Sequence, residues 1–418
     1  MNESPRRHRL YYGWWMVAAL SVTETISFGI LAYSFTVFIA PMHAELGWSV
    51  AGLTGAYSLG LLIAGFTAVL VGRWLDEHGA RLPMSLGSLL AAAMLFAWSR
   101  VDTIWSFYLL WAGVGVAMAG VLYEPAFAVL AKWFHRDLGR ALTVLTFLAG
   151  LASVIFIPLS GLLVERIGWR AALEVLALIQ LATLPLHALF IRRRPSDLGL
   201  QPDGNRSVGP QHHELSGLSP HEAFPRPDFR RLAVAFSLST FAITAMGVHL
   251  VPLLVEAGRS ATAAAAVGGA IGLFALPGRL VLTPLGDRLP RRLVAAAIFA
   301  LQALGIVVLL WGAGADVAVW AFVVLYGAGF GAITPARAAL LAEYYGGRHY
   351  GRISGRMALI NSLARALAPV STGILVTVSG GFESLLALLV ICCGLAALSV
   401  ALAYAPAPLA RGGRGVSS

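Results

Sequence analysis

Apolar residues run along this chain in blocks of about twenty, parted by short polar segments that carry arginine. A helix rising about 1.5 Å per residue needs about 20 such residues to cross a hydrocarbon layer about 30 Å thick. On that measure the pattern predicts twelve spans, near 13–40, 49–71, 84–99, 105–131, 140–163, 171–191, 231–255, 262–285, 293–313, 317–341, 353–378 and 383–405. The every-second-residue alternation of a barrel strand is absent. Backbone groups in lipid must pair within their own segment, so the spans are expected to be helices. The expected fold class is all-α membrane protein. The first block is too long for the core of a cleavable leader and lacks a small-x-small site, so it reads as an uncleaved span.

Composition agrees: 58% of residues are hydrophobic and 12% charged, against about 25% charged in soluble domains. Net charge is +10. Lys132 is the single lysine and every other basic residue is arginine. A basic balance often signals nucleic acid, but these charges sit in loops between apolar blocks, where they report topology. With the N-terminus in the cytoplasm, 23 basic residues fall in cytoplasmic segments, including Arg6, Arg7, Arg9, Arg206, Arg411 and Arg414. Four fall in outer loops and three inside spans. That bias predicts both termini in the cytoplasm, and the expected location is a bacterial-type inner membrane. One connection is long and rich in Pro, Gly, His and charge, which divides the chain into a six-helix bundle over 1–191, a cytoplasmic linker over 192–230 and a second bundle with a short tail over 231–418. The sequon Asn205-Arg206-Ser207 is a chance match in such a linker. Cys392 and Cys393 are adjacent and read as small core residues.

The two halves repeat at an offset of about 211 residues. Asp76 falls on Asp287, Arg81 on Arg292 and Pro158 on Pro369, and Gly139-Arg140 meets Gly351-Arg352 at an offset one larger. Internal repeats of this kind build pseudo-symmetric transporters with the substrate site between the halves near mid-membrane.

The turn Gly72-Arg73-Trp74-Leu75-Asp76-Glu77-His78-Gly79-Ala80-Arg81 resembles the Gly-x-x-x-Asp-Arg/Lys-x-Gly-x-Arg/Lys turn of the major facilitator superfamily, matching at Gly72, Asp76, Gly79 and Arg81. Glu77 replaces the usual base. The second copy, Gly286-Asp287-Arg288-Leu289-Pro290-Arg291-Arg292, keeps Asp287, Arg288 and Arg292 but has Thr283 for the first glycine. The resemblance implies two pseudo-symmetric six-helix bundles, a monomer, and turns that latch the cytoplasmic side. Tyr11-Tyr12-Gly13-Trp14-Trp15, Gly278-Arg279 and Tyr123-Glu124-Pro125 further resemble the monocarboxylate-transporter and oxalate/formate-antiporter branch. That narrower likeness implies Arg279 as the substrate-carboxylate site, with Tyr123 and Tyr326 lining the cavity. Ala275 stands where the branch often has an acid or amide, and Met357, beside Arg356, where oxalate carriers have a lysine.

A charge in hydrocarbon is costly unless it faces a cavity or a partner. Arg279, Arg337 and Arg365 are the intramembrane bases, all in the second half; Glu24 and Glu124 are the clearest intramembrane acids, both in the first. A basic wall facing an acidic wall suits an anion plus a proton. Arg279 and Arg365 are therefore expected to bind substrate, and Glu24 and Glu124 are candidates for proton coupling. Arg337 lies near enough to the cytoplasmic end to snorkel, and Arg365 is open to pairing with a first-half glutamate. Glu124 precedes Pro125, whose missing donor loosens the helix. Glu174, His187 and His249 read as packing or helix-end groups. No metal-ligand spacing, serine elbow or phosphate loop is present, and the glycine runs at 113–115 and 327–331 lie inside apolar blocks, where close helix packing accounts for them. An enzyme is not expected, nor a cofactor, metal or nucleic acid. The expected function is gradient-driven transport of a small organic anion, a mono- or dicarboxylate, by proton coupling or exchange; the alternative is a proton-driven exporter of drugs or other metabolites.

Overall fold

A computed structural model describes residues 11–204 and 217–405. Arg6, Arg7, Arg9, Arg206, Arg411, Arg414 and the Asn205 sequon lie outside the described residues. Within them the regular structure is helical apart from isolated bridges, one of which joins Gly217 and Gly346. Eleven helical runs are long and apolar enough to span a membrane. One of them, Leu138–Phe190, has 53 residues, about 80 Å of helix at about 1.5 Å per residue, more than twice the hydrocarbon thickness. It breaks at Gly168, whose φ of 78° and ψ of 161° reverse the chain at a position only glycine occupies without strain.

The twelve spans are therefore α1 (Tyr12–Leu46), α2 (Val50–His78), α3 (Arg81–Trp98), α4 (Ile104–Trp133), α5 (138–167), α6 (169–190), α7 (Pro227–Glu256), α8 (Ala261–Leu285), α9 (Arg291–Gly312), α10 (Asp316–Tyr345), α11 (Tyr350–Ser379) and α12 (Glu383–Ala401). Short polar turns begin several of them. The hydroxyls of Ser49, Thr103 and Ser260 accept from the backbone N–H of Gly52, Ser106 and Ala263, capping α2, α4 and α8.

One face of the bundle gathers the arginine-bearing turns. There the Tyr11 hydroxyl donates to the Trp133 carbonyl and Tyr12 to Phe190, each at 2.9 Å. Arg292 reaches Ala401 at 2.8 Å and Arg231 reaches Leu402 at the same distance. On the opposite face Arg170 bridges Glu45 and Asp102, and Arg259 pairs with Asp316.

Three apolar cores hold the helices, by close packing more than by exclusion of water, since lipid is as apolar as the side chains. Phe38, Trp98, Phe107 and Trp111 centre one core among α1–α6. Met246, Ile306, Phe322 and Cys393 centre another among α7–α12. The third lies towards the basic face and joins both sets of six, from Met84 and Phe134 to Phe236, Tyr345 and Met357. The two sets share a core at that end only.

Candidate functional site

Between the two sets lies a cavity of about 310 Å³, lined from α1, α2, α4, α5, α7, α8, α10 and α11. Its wall is shaped by interruptions in the helices. In α1 the residues Gly29–Tyr33 form a π-helical turn, in which the Ser34 N–H donates to the Gly29 carbonyl at 2.8 Å. This extra residue resets the helix phase, a device common at functional sites, and brings Phe28, Ala32 and Tyr33 to the cavity. In α4 the chain opens at Leu122 (φ −91°, ψ −170°), just before Tyr123-Glu124-Pro125, so both Tyr123 and Glu124 face inward. The Tyr123 ring stacks on Phe127 and leans on Phe28, at centroid distances of 5.0 and 4.4 Å.

Arg279 is held on α8 by close packing with α10. A Cβ on Gly278 would collide with the Ala328 backbone, and one on Gly331 with the Ala275 carbonyl. With that approach closed, Arg279 Nε donates to the Gly331 carbonyl at 2.9 Å and Nη1 to the Thr146 carbonyl of α5 at 2.5 Å. The side chain is 8% exposed and lines the cavity. Both acceptors are neutral, and a guanidinium carries five N–H donors, so three point elsewhere. Among the described residues no carboxylate pairs with it. A buried charge without a counter-charge is expensive.

The other two bases behave differently. Arg337 does not snorkel: its Nη2 donates to Glu124 Oε1 at 2.5 Å, with both side chains less than a fifth exposed. This pair joins α10 to α4 across the cavity. Arg365, on α11, is exposed within the same cavity. Among the described residues it makes no hydrogen bond or ion pair, although Tyr57, Arg337, Glu124 and Tyr33 lie within electrostatic reach. The first-half glutamate therefore takes Arg337 and leaves Arg365 free.

Glu24 is fully buried, and neither carboxyl oxygen finds a hydrogen-bond partner among the described residues. It is outside the cavity lining. The expectation that Tyr326 lines the cavity is corrected by its placement. It is 2% exposed, stacked on Phe322 at 5.0 Å and set against Gly305 of α9 in the second-half core. The stacking on Phe322 holds the ring in that core, and Phe330 and Phe236 line the cavity instead. Tyr33, Tyr57, Thr240, Thr244, Thr334 and Asn361 also line the cavity. They went unread because isolated tyrosines and threonines in apolar helices look like packing groups. His187 and His249 are packing groups, bonded to Ser88 and Thr372. Glu174 pairs with Arg100 at a helix end.

Beneath the cavity the basic face is shut. The Asp76 carboxylate accepts the backbone N–H of Gly351 at 2.8 Å and of Arg352 at 2.9 Å, capping α11 from α2 with negative charge at a helix N-terminus. Gly72 packs on the Gly351 carbonyl, where a Cβ would collide. Lys132 Nζ, buried, lies 3.9 Å from Asp76 and donates to the Leu75 carbonyl at 2.7 Å. Glu77 pairs with Arg352, so the acid in place of the usual base bonds across the seam. Gly79, with φ of 86°, turns the chain towards α3. The repeat-related contact is looser: Asp287 lies against Gly139 but pairs with Arg291 at 3.4 Å. Arg292 turns to Ala401 and Tyr404, while Arg81 and Arg288 are exposed. The hydrogen bonds and ion pairs described between the two sets, Asp76 to α11, Glu77 to Arg352, Glu124 to Arg337 and Arg279 to Thr146, all lie in the basic-side half of the helices. Among the described residues, no group of three or more His, Cys, Asp or Glu is disposed to hold a metal.

Known proteins agree with this architecture. The sequence is 26% identical over 378 residues to monocarboxylate transporter 13 of Bos taurus, covering 89% of this chain and 85% of that one. It is 28% identical over 255 residues to the oxalate:formate antiporter of Oxalobacter formigenes, covering 60% and 57%. The fold superposes on a bacterial homologue of the iron transporter ferroportin in its outward-facing state with a TM-score of 0.74 at 16% identity, over 94% and 98% of the two chains. Residues 21–369 and 232–416 match the Major Facilitator Superfamily. With two pseudo-symmetric helix sets around a central cavity, the chain belongs to that superfamily and is a membrane transporter, not an enzyme.

Proposed function

We propose that the chain is a secondary carrier of a small organic anion, a mono- or dicarboxylate, moved by alternating access with proton coupling or exchange. The observation that carries this reading is Arg279: a cation in the cavity wall whose hydrogen-bond partners are two neutral carbonyls. A carboxylate supplies the missing charge and accepts the remaining N–H donors in the planar geometry the guanidinium favours. Arg365, exposed and unpaired among the described residues, adds a second positive charge to the same cavity. Tyr123, between Phe28 and Phe127, forms the aromatic side of the site. The relatives named for monocarboxylate and for oxalate and formate transport support the same cargo class.

Glu24 is the proposed proton carrier, because a fully buried carboxylate charge without a partner would be uncompensated. Glu124 is the coupled group, since protonation would release Arg337. The basic face is assigned to the cytoplasm of the inner membrane, with both termini there, which makes the closed turns a cytoplasmic gate and this arrangement outward-facing. The segments 1–191 and 231–418 act as the rocking bundles, and 192–230 as their tether.

Reconstituted into proteoliposomes, the carrier should accumulate labelled short carboxylates under an imposed proton gradient or by exchange against internal carboxylate. Uptake should be lost in both Arg279→Lys and Arg279→Ala. Wild-type affinity in either variant, or wild-type uptake indifferent to competing carboxylates, overturns the assignment of cargo.

A further inference from the structure

A second basic pocket lies away from the transport cavity, at the basic-face end of the α2–α11 seam. It has a volume of about 470 Å³ and is walled by Val69, Arg73 and Glu77 of α2, Arg352 and Arg356 of α11, and the turn Pro220–Phe224 that precedes α7. Three arginines face one glutamate. Glu77 is taken by Arg352, and Arg356 lies over the Phe224 ring, 5.9 Å from its centroid. Among the described residues, neither Arg73 nor Arg356 has a hydrogen bond or ion pair.

The repeat supplies an internal comparison. The related pocket on the α5–α8 side holds Arg136, Arg140 and Arg291 together with Asp137, Asp287 and Glu343. There each arginine is matched: Arg136 and Arg140 with Asp137 at 3.8 and 3.6 Å, and Arg291 with Asp287 and Glu343 at 3.4 Å. One pocket is neutralised from within and the other is left with excess positive charge.

Apolar surface adjoins the charged pocket. On α2, Leu70 is 64% and Trp74 41% exposed; on α11, Leu363 is 43% and Leu367 65% exposed. Leu70, Leu363 and Leu367 lie farther from the basic-face ends of their helices than Arg73 and Arg356 do, towards the hydrocarbon region. A phosphate at Arg73 and Arg356 would leave attached acyl chains lying against them, a continuity that free phosphate does not use. We infer that this pocket binds the phosphate headgroup of an anionic lipid, bridging α2, α11 and the turn before α7 while the basic face is closed. The inference is independent of the cargo proposed for the central cavity.

The test is native mass spectrometry of the full-length carrier in detergent, titrated with cardiolipin, phosphatidylglycerol, phosphatidylcholine or inorganic phosphate. The two anionic lipids should bind and phosphatidylcholine should not. Arg73→Gln with Arg356→Gln should weaken anionic-lipid binding about thirtyfold, from about 1 kcal/mol per basic residue near a membrane surface and about 1.4 kcal/mol per tenfold. Arg136→Gln in the matched pocket should change it little. A photoactivatable cardiolipin on the wild-type protein should cross-link to peptides of α2 and α11, which keeps the test decisive if the double variant does not fold. Equal binding of phosphatidylcholine, competition by millimolar inorganic phosphate with no lipid preference, an unaffected double variant, or cross-links elsewhere would each overturn the inference.

Discussion

At the scale of residues, substitution should be read in uptake for Arg279 and in stability for the Glu124–Arg337 pair. Arg279 is fixed through Nε and Nη1, so Arg279→Lys keeps the charge but loses the fork; uptake should fall at least about tenfold, the value of one charge-assisted hydrogen bond. Glu124 and Arg337 stabilise each other. Removing either strands the other, and Glu124→Gln or Arg337→Gln should each lower stability by about 3 kcal/mol, read from the thermal midpoint. The double variant should lose less than the sum of the two; additive losses would show that the pair is not coupled. Arg279 was legible in the sequence because a lone base in an apolar block has few explanations. The Glu124–Arg337 pair was not, because its members lie 213 residues apart and only the packing of the two halves chooses Arg337 over Arg365. Tyr326 misled for the reverse reason: an aromatic residue in an apolar helix gives no sign of whether it meets a cavity or a neighbouring helix.

At the scale of helices, the positions were readable and their interruptions less so. Apolar length alone separates twelve crossings, even where Leu138–Phe190 is a single long helical stretch that reverses at Gly168. The π turn at Gly29–Tyr33 has no composition signal, and it carries Tyr33 to the cavity. The glycine run 327–331 of α10 is the opposite case, since it predicts close packing, and the Cβ positions of Gly331 and of Gly278 on α8 are filled by backbone. Gly331→Ala should push α10 from the Ala275 carbonyl and shift the acceptor of Arg279 Nε. Transport should drop severalfold while the protein still inserts and purifies. Gly161→Ala, where nothing lies within 4 Å of the added methyl, should leave uptake unchanged, and equal effects of the two would remove packing as the cause.

For the whole molecule, the repeat predicts two equivalent latches, and the structure holds one more tightly than the other. Asp76 caps α11 with two hydrogen bonds, whereas Asp287 is diverted to Arg291. Asp76→Asn should therefore move the population towards the basic-face-open state, and Asp287→Asn should do so much less. Single-molecule distances between labels on the turns of α2 and α11 would measure both; equal shifts would mean that the asymmetry has no energetic weight. The sole lysine gives the same motion a chemical readout. Lys132 is 4% exposed and sealed under the Leu75 carbonyl and Asp76, so an acylating reagent that modifies amines meets it only when the two bundles part at this end. Mass-spectrometric footprinting of that one amine, against an added lysine-containing peptide as an always-reactive standard, would report the rate of opening of the unlabelled native protein.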